Sequence, residues 1–206
     1  MIPRVTEIVS ALFPEHQPGW LAKIGYLGKK SEDQILTWSQ DFGTEMHAWC
    51  LKGITPKKQT LLMKKCKKQF DSFMAKESPK FVYTEKKLQK IDEFGDITYT
   101  GTSDLGVRIR GQEGIVELKF FKCWRWWQKF RIPSKIEPEI DATKAAKTNL
   151  QTKLYEIAQD DFKPEFRAVL WITPDFYVFK RFSREPTKID DALTYAASLK
   201  NKELNF

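Results

Sequence analysis

Two carboxylates and one ammonium group stand close together in the middle of the chain. The segment GTSDLGVRIRGQEGIVELKFFKCW, residues 101–124, carries Asp104, Glu117 and Lys119 among mostly apolar residues. Carboxylate oxygens are the ligands that Mg²⁺ and Mn²⁺ prefer, and a lysine beside them can orient or help deprotonate a water molecule. The plain alternative is that Lys119 forms a salt bridge with the acids. Whether the three groups bind a metal ion or form a salt bridge depends on the elements that position them.

A hairpin of two strands is predicted to position these groups. Side chains alternate between the two faces of a strand, so Glu117 and Lys119 share one face while the apolar residues between and beside them share the other. A turn at residues 110–111 places Asp104 opposite Glu117, with Cβ atoms ~5 Å apart. Two carboxylates at that separation require a shared proton or a cation.

Changes of hydrophobic period along the chain predict the elements around this hairpin. Helices are predicted over 4–13, 19–53, 57–76, 143–159 and 187–200, and strands over 80–91, 97–111 and 114–121 and in a hairpin over 166–182. This order predicts an α/β fold with a mixed central β-sheet flanked by helices. The length suits a single domain, 1–206, made of an N-terminal helical part, 1–78, and a catalytic α/β core, 79–206.

Composition excludes several classes of protein. Of the 206 residues, 41% are hydrophobic and 30% are charged, which is typical of a folded globular chain. No apolar run approaches the ~20 residues of a membrane helix, and the N-terminus has no signal-peptide pattern, so we expect a cytoplasmic protein with no membrane partner. Three widely separated cysteines, Cys50, Cys66 and Cys123, indicate free thiols and argue against zinc or iron–sulfur sites.

The net charge of +8 is concentrated in two segments, 57–68 and 121–135. The first segment is either a solvated helix face or a surface for a polyanion, and the sequence leaves both open. The second interleaves aromatic rings with cations, an arrangement that suits stacking on unpaired bases and pairing with phosphates. We therefore predict that it contacts nucleic acid through Trp124, Arg125, Trp126, Trp127, Lys129 and Arg131.

Four segments, in the right order along the chain, resemble the motifs of one enzyme superfamily. Asp104, followed after twelve residues by the strand end ELK at 117–119, resembles the core motif of the PD-(D/E)XK nucleases. GTEMH, residues 43–47, resembles the helix that supplies a histidine to the metal in the RecB-like branch. NLQTKLYEIA, residues 149–158, resembles the Gln-x-x-x-Tyr helix of that branch. The opening PRVTEIVSAL, residues 3–12, is similar to the start of phage-type exonucleases of the branch.

The resemblance covers about residues 3–182 and implies both a fold and a site. It implies a restriction-endonuclease-like core that hydrolyses DNA phosphodiester bonds with one or two Mg²⁺ or Mn²⁺ ions. The implied metal ligands are His47, Asp104, Glu117 and the Leu118 carbonyl, and the implied catalytic residues are Asp104, Glu117, Lys119, Gln151 and Tyr155. Glu85 on the preceding strand is a weaker candidate, and His16 is read as a loop residue. No iron–sulfur cluster is expected, because no cysteine follows Cys123.

The predicted function is that of a phage- or viral-type metal-dependent deoxyribonuclease, an exonuclease acting on single-stranded DNA or DNA ends. Three alternatives stay open: an endonuclease of the same superfamily, a nuclease directed at RNA, and a non-catalytic DNA-binding protein on a nuclease-like fold. DNA is the expected partner, and a second copy of the chain or replication or recombination proteins are compatible partners. If the protein is viral, the expected location is the host cytoplasm.

Overall fold

A five-stranded sheet with helices on both faces forms the centre of the protein. The computed structural model describes residues 2–13, 32–120 and 142–203. In chain order the elements are α1 Val5–Leu12, α2 Glu32–Lys52, α3 Leu61–Glu77, β1 Lys80–Ile91, β2 Ile97–Ile109, β3 Gln112–Phe120, α4 Ala142–Ile157, β4 Phe166–Ile172, β5 Tyr177–Phe182 and α5 Ile189–Glu203. This confirms the predicted α/β class with a mixed sheet. The part of the first long predicted helix before residue 32 lies outside the described residues.

The strands lie in the order β1-β2-β3-β4-β5. Neighbouring strands pair antiparallel except β3 and β4, which are parallel and therefore need a long crossover that includes α4. The turn between β2 and β3 consists of Arg110 and Gly111, with φ of 54° and 87°. Two successive residues with positive φ make the tight turn that fits the twist of a hairpin. This turn pairs Ile109 with Gln112, which is the predicted register.

The apolar residues of β2 and β3 are divided between two cores. The first core lies against α2 and α3 and takes from β2 and β3 the fully buried Leu105, Val107, Ile109, Val116 and Leu118. The second lies under α1, α4 and α5 and includes Tyr99, Ile115, Leu150 and Leu154. Glu117 and Lys119 alternate with the residues of the first core and so point to the α4 side of the sheet.

Two of the cysteines are buried free thiols, Cys50 and Cys66, while Cys123 lies outside the described residues. Burial raises the pKa of both thiols to about 12, so neither is a reactive thiolate near neutral pH. Among the described helices, none combines the length and the apolar character that crossing a membrane requires.

Candidate active site

Asp104 and Glu117 occupy the first positions beyond the paired part of β2 and β3. The pairing of these strands ends at Leu105 and Val116, whereas β3 continues to pair with β4. The two acids therefore lie where β2 and β3 separate. The register predicted from the sequence is correct, and the end of the ladder is what opens space between the two carboxylates.

Beyond the last pair of β2 and β3, the backbone N–H and carbonyl of Leu118 form hydrogen bonds with side chains. The Leu118 N–H donates to Asp104 Oδ2 at 2.8 Å, and the Leu118 carbonyl accepts from His47 Nε2 at 3.0 Å. His47 comes from α2, on the first-core side of the sheet, and its Nδ1 lies 3.6 Å from Asp104 Oδ1. A helix packed on one face of the sheet thus delivers a side chain to the gap between two strands.

A chain of hydrogen bonds joins Glu117 to α4. Lys119 Nζ donates to Glu117 Oε2 at 2.9 Å and to Gln151 Oε1 at 3.4 Å. Gln151 Nε2 donates to the same Glu117 oxygen at 3.0 Å and to Tyr155 Oη at 2.9 Å. Gln151 and Tyr155 are one helical turn apart, so both face the sheet from α4. The structure thus brings together every side chain that the resemblance assigned to the catalytic set.

These residues line one cleft of about 530 Å³. His47 and the catalytic set form its inner wall, and the first turn of α1 together with β1 and β2 forms the rest. Arg4, Lys87 and Thr102 also line the cleft and were not predicted from the sequence. Thr102 lies two residues before Asp104 on β2 and pairs with Lys87 of β1, whereas the packing of α1 beside the sheet brings Arg4 to the acids.

The charges in the cleft influence one another strongly. Burial, followed by the neighbouring Glu117 carboxylate, raises the pKa of Asp104 well above its ordinary value. Burial, followed by the Lys119 ammonium, lowers the pKa of His47, so its imidazole is neutral near neutral pH. Burial alone would lower the pKa of Lys119, but the Glu117 and Asp104 carboxylates outweigh it and raise that pKa. Lys119 is therefore held as an ammonium ion, and its side chain is 34% exposed.

One oxygen of Glu117 has no partner. Glu117 is 1% exposed, and its Oε1 is buried without a hydrogen bond to any described residue. Both Lys119 and Gln151 bind Oε2 instead. A buried carboxylate oxygen without a donor is costly, and a cation beside it would remove that cost.

The donor set fits a small hard cation through oxygen atoms. No three His, Cys, Asp or Glu side chains in the described ranges are arranged to hold a metal by themselves. The carboxylates of Asp104 and Glu117 together with the Leu118 carbonyl form an all-oxygen set, and Mg²⁺ commonly takes one or two carboxylates and completes its shell with water. His47 lies beside this set. Its contact with the Leu118 carbonyl requires hydrogen on Nε2, so ligation through that atom would require the other tautomer.

Glu85 does not join the cleft. It lies on β1 between residues that pair with Ser103 and Leu105, so its register position is opposite Asp104. Its φ of 47° departs from extended backbone, and its carboxylate forms an ion pair with Lys52 at the end of α2. The weaker sequence candidate is thus engaged with α2 instead of lining the site.

The predicted nucleic-acid-binding segment lies outside the described residues. This holds for Trp124, Arg125, Trp126, Trp127, Lys129 and Arg131, and also for the loop histidine His16. Their assignment stays a prediction from sequence.

Comparisons with known proteins leave the family open. No family model matches the chain, and no curated protein matches it. Among solved structures, one titled "Crystal structure of SSO0001" aligns with a TM-score of 0.36 and 15% identity, covering 64% of this chain and 54% of that one. The chain thus spans about half the length of this neighbour. At this level of likeness neither a function nor a set of site residues transfers.

Proposed function

We propose that the protein is a metal-dependent deoxyribonuclease of the PD-(D/E)XK type. The observation that carries the proposal is the convergence of Asp104, Glu117 and Lys119 where β2 and β3 separate, with Glu117 Oε1 receiving no hydrogen bond from any described residue. The mixed sheet, in which a helix connects β3 to the parallel β4, agrees with the core that the resemblance implies.

Asp104, Glu117 and the Leu118 carbonyl would hold Mg²⁺ or Mn²⁺, with His47 as a further candidate ligand. When bound, the ion supplies Lewis-acid stabilisation of negative charge on the phosphate and a lowered pKa for the attacking water. A buried pair of carboxylates without a cation keeps a proton, as the raised pKa of Asp104 indicates. A bound cation would displace this proton, and this competition supports the proposal of a cation site.

The other residues hold the site in shape and supply a fixed positive charge. Without a bound ion the Glu117 and Asp104 carboxylates raise the pKa of Lys119 and hold it as an ammonium, which can donate a hydrogen bond that orients the attacking water or stabilises the phosphate. Gln151 fixes Glu117 by binding Oε2, and Tyr155 fixes Gln151 in turn. Their role is positioning, since neither needs to touch the phosphate.

The size of the cleft bears on the substrate. A volume of about 530 Å³ lies in the range of pockets that hold one small ligand, such as a nucleotide. A cleft of this size could accept one nucleotide of a single strand or of a DNA end. We propose an exonuclease acting on single-stranded DNA or DNA ends.

A cleavage assay tests the proposal. Linear and circular DNA, each single- and double-stranded, are incubated with Mg²⁺, Mn²⁺ or EDTA and with wild type, Lys119→Ala or the exposed-lysine control Lys163→Ala. We expect metal-dependent loss of linear substrate by wild type and Lys163→Ala, and none by Lys119→Ala, while all three bind DNA alike. Equal turnover by Lys119→Ala, or turnover in EDTA, would refute the assignment.

The same assay separates the alternatives. Cutting of circular DNA would make the protein an endonuclease with the same site, and cutting of an RNA oligonucleotide would extend the substrate to RNA. The second candidate function is that of a non-catalytic DNA-binding protein. It is supported by the salt bridge of Lys119 with Glu117, because a purely structural cluster would show the same contact. That alternative predicts salt-sensitive binding without hydrolysis under every condition.

A further inference from the structure

The first half of α3 carries lysines near the N-terminal end of the helix, where the helix dipole makes positive charge unfavourable. The helix begins after Thr60, whose side chain accepts a hydrogen bond from the Met63 N–H at 3.2 Å. Its first turn has no acidic residue, and lysines follow at Lys64, Lys65 and Lys68. The N-terminal end of a helix has partial positive charge, so a nearby cation costs about 0.3–1 kcal/mol. These lysines therefore gain no stabilisation from the helix dipole.

The lysines form an exposed and unpaired surface. Lys64, Lys65 and Lys68 recur at helical spacing on one side of α3, and the loop before the helix adds two more exposed lysines. Within the described residues none of these five ammonium groups has an ion-pair partner, whereas Lys67 pairs with Asp71. We call this surface the α3 basic face, and its members are Lys57, Lys58, Lys64, Lys65 and Lys68.

The α3 basic face lies at the same end of the sheet as the candidate active site. Cys66, in the same part of the helix, is close enough to Asp175, in the turn after β4, for that carboxylate to contribute to its raised pKa. The last residue of β4, Ile172, pairs with Phe120, which directly follows Lys119. Because α3 packs on the face of the sheet opposite to α4, a strand leaving the cleft would reach these lysines by passing around the ends of β3 and β4.

The surface fits a polyanionic strand and not a membrane. A helix that lies in a membrane interface needs an apolar face turned outward. The apolar face of α3 is buried in the first core through Met63, Cys66, Phe70 and Phe73. Leu61 alone among the apolar residues of the helix is strongly exposed, at 73%. What remains on the outer side of the helix is a group of exposed cations, which suits the phosphates of a nucleic acid.

We propose that the α3 basic face binds the backbone of single-stranded DNA beyond the nucleotide held in the cleft. The identity of the polyanion as DNA rests on the proposed nuclease function, while the binding surface itself rests on charge and exposure. The face would extend the substrate contact from one nucleotide to several. It would act through phosphates, and so without preference for base sequence.

Binding measured without cleavage tests this inference. Fluorescence anisotropy of a labelled single-stranded oligonucleotide is followed in EDTA as a function of salt. The variant combines Lys64→Gln, Lys65→Gln and Lys68→Gln, and the control combines Lys80→Gln, Lys163→Gln and Lys180→Gln, which remove the same charge from exposed lysines outside α3. Loss of three phosphate contacts weakens binding about 100-fold at about 0.1 M salt and lowers the salt slope by about 2. The control should bind like wild type, and melting curves verify that both variants are folded.

Equal loss of binding in both triple variants would show that net charge alone causes the effect, and would overturn the inference. Unchanged binding by the Lys64/Lys65/Lys68 variant would overturn it as well. Loss of binding to phosphatidylserine vesicles in that variant, with DNA binding intact, would assign the face to a membrane and also overturn it. Failure of the nuclease proposal is distinct, because it appears as absent cleavage with Mg²⁺ while the binding difference persists. If both proposals hold, the Lys64/Lys65/Lys68 variant has a higher KM for DNA cleavage than wild type and an unchanged kcat.

Discussion

Asp104, one position beyond the last pair of β2 and β3, accepts a hydrogen bond at 2.8 Å from the backbone N–H of Leu118. The same carboxylate faces His47 through its other oxygen, at 3.6 Å. One side chain thus closes the gap between two strands and presents charge to the cleft. Its structural and chemical roles can be separated by substitution.

Asparagine and alanine at position 104 should affect stability differently. Asp104→Asn keeps an oxygen acceptor for the buried Leu118 N–H and is uncharged, like the protonated carboxyl of the cation-free site, so unfolding by urea in EDTA should show no loss of stability. Asp104→Ala leaves that N–H unpaired and should lower the free energy of unfolding by about 1–3 kcal/mol. Neither variant should be stabilised by Mg²⁺. An Asn variant as unstable as the Ala variant would contradict this account of the hydrogen bond.

Stabilisation by Mg²⁺ should increase with pH. Because the pKa of Asp104 is raised in the folded protein, its contribution to stability is fully present below the unfolded pKa and is lost as pH rises through the folded pKa. A cation requires the ionised carboxylate, so its binding displaces the proton and is favoured at higher pH. The increase in Tm on adding Mg²⁺ should be larger at about pH 8 than at about pH 6. Scanning calorimetry of wild type measures it, and a pH-independent increase would argue against Asp104 as a ligand.

Removing the Tyr155 hydroxyl should slow the reaction. Tyr155→Phe deletes the acceptor that holds Gln151 Nε2, and loss of such a supporting contact typically costs about 10–100-fold in activity or metal affinity. Tyr99→Phe is the matched control, because it removes another buried hydroxyl, which donates to the Leu154 carbonyl at 3.0 Å in the second core. Both variants should lose similar stability, but only Tyr155→Phe should lose turnover. Equal turnover in the two variants would make Tyr155 a core residue.

A methyl group at Gly101 should displace Tyr155. A Cβ there would lie 2.5 Å from Tyr155 Cε1 and 3.1 Å from Val5 Cγ2, so Gly101→Ala forces the ring or α1 to move. Overpacking of this kind costs about 1–3 kcal/mol, and we expect a matching loss of cleavage. Gly43→Ala, in α2 with nothing within 4 Å of the added Cβ, is the control. It should stabilise the helix by about 0.5–1 kcal/mol and leave cleavage unchanged, as thermal melting and the cleavage assay would show.

Several features of the site are encoded locally and could be predicted from the sequence. The turn at Arg110 and Gly111 and the alternation of β2 and β3 determine the register that sets Asp104 opposite Glu117. The spacing of Gln151 and Tyr155 determines that they share one face of α4. These features depend on turn geometry and on periods of two or 3.6 residues, which act over a few positions of the chain.

Only the tertiary structure decided how these parts meet. His47 binds the carbonyl of Leu118, 71 positions away, because α2 packs on one face of the sheet at the point where β2 and β3 separate. The same packing turns Glu85 toward Lys52, and the packing of α1 brings Arg4 to the cleft. The sequence by itself determined the strands, their register and the chemical types of the groups. The separation of the strands, the orphaned oxygen of Glu117 and the shifted pKa values arise from burial and from contacts between distant elements, which no local pattern records.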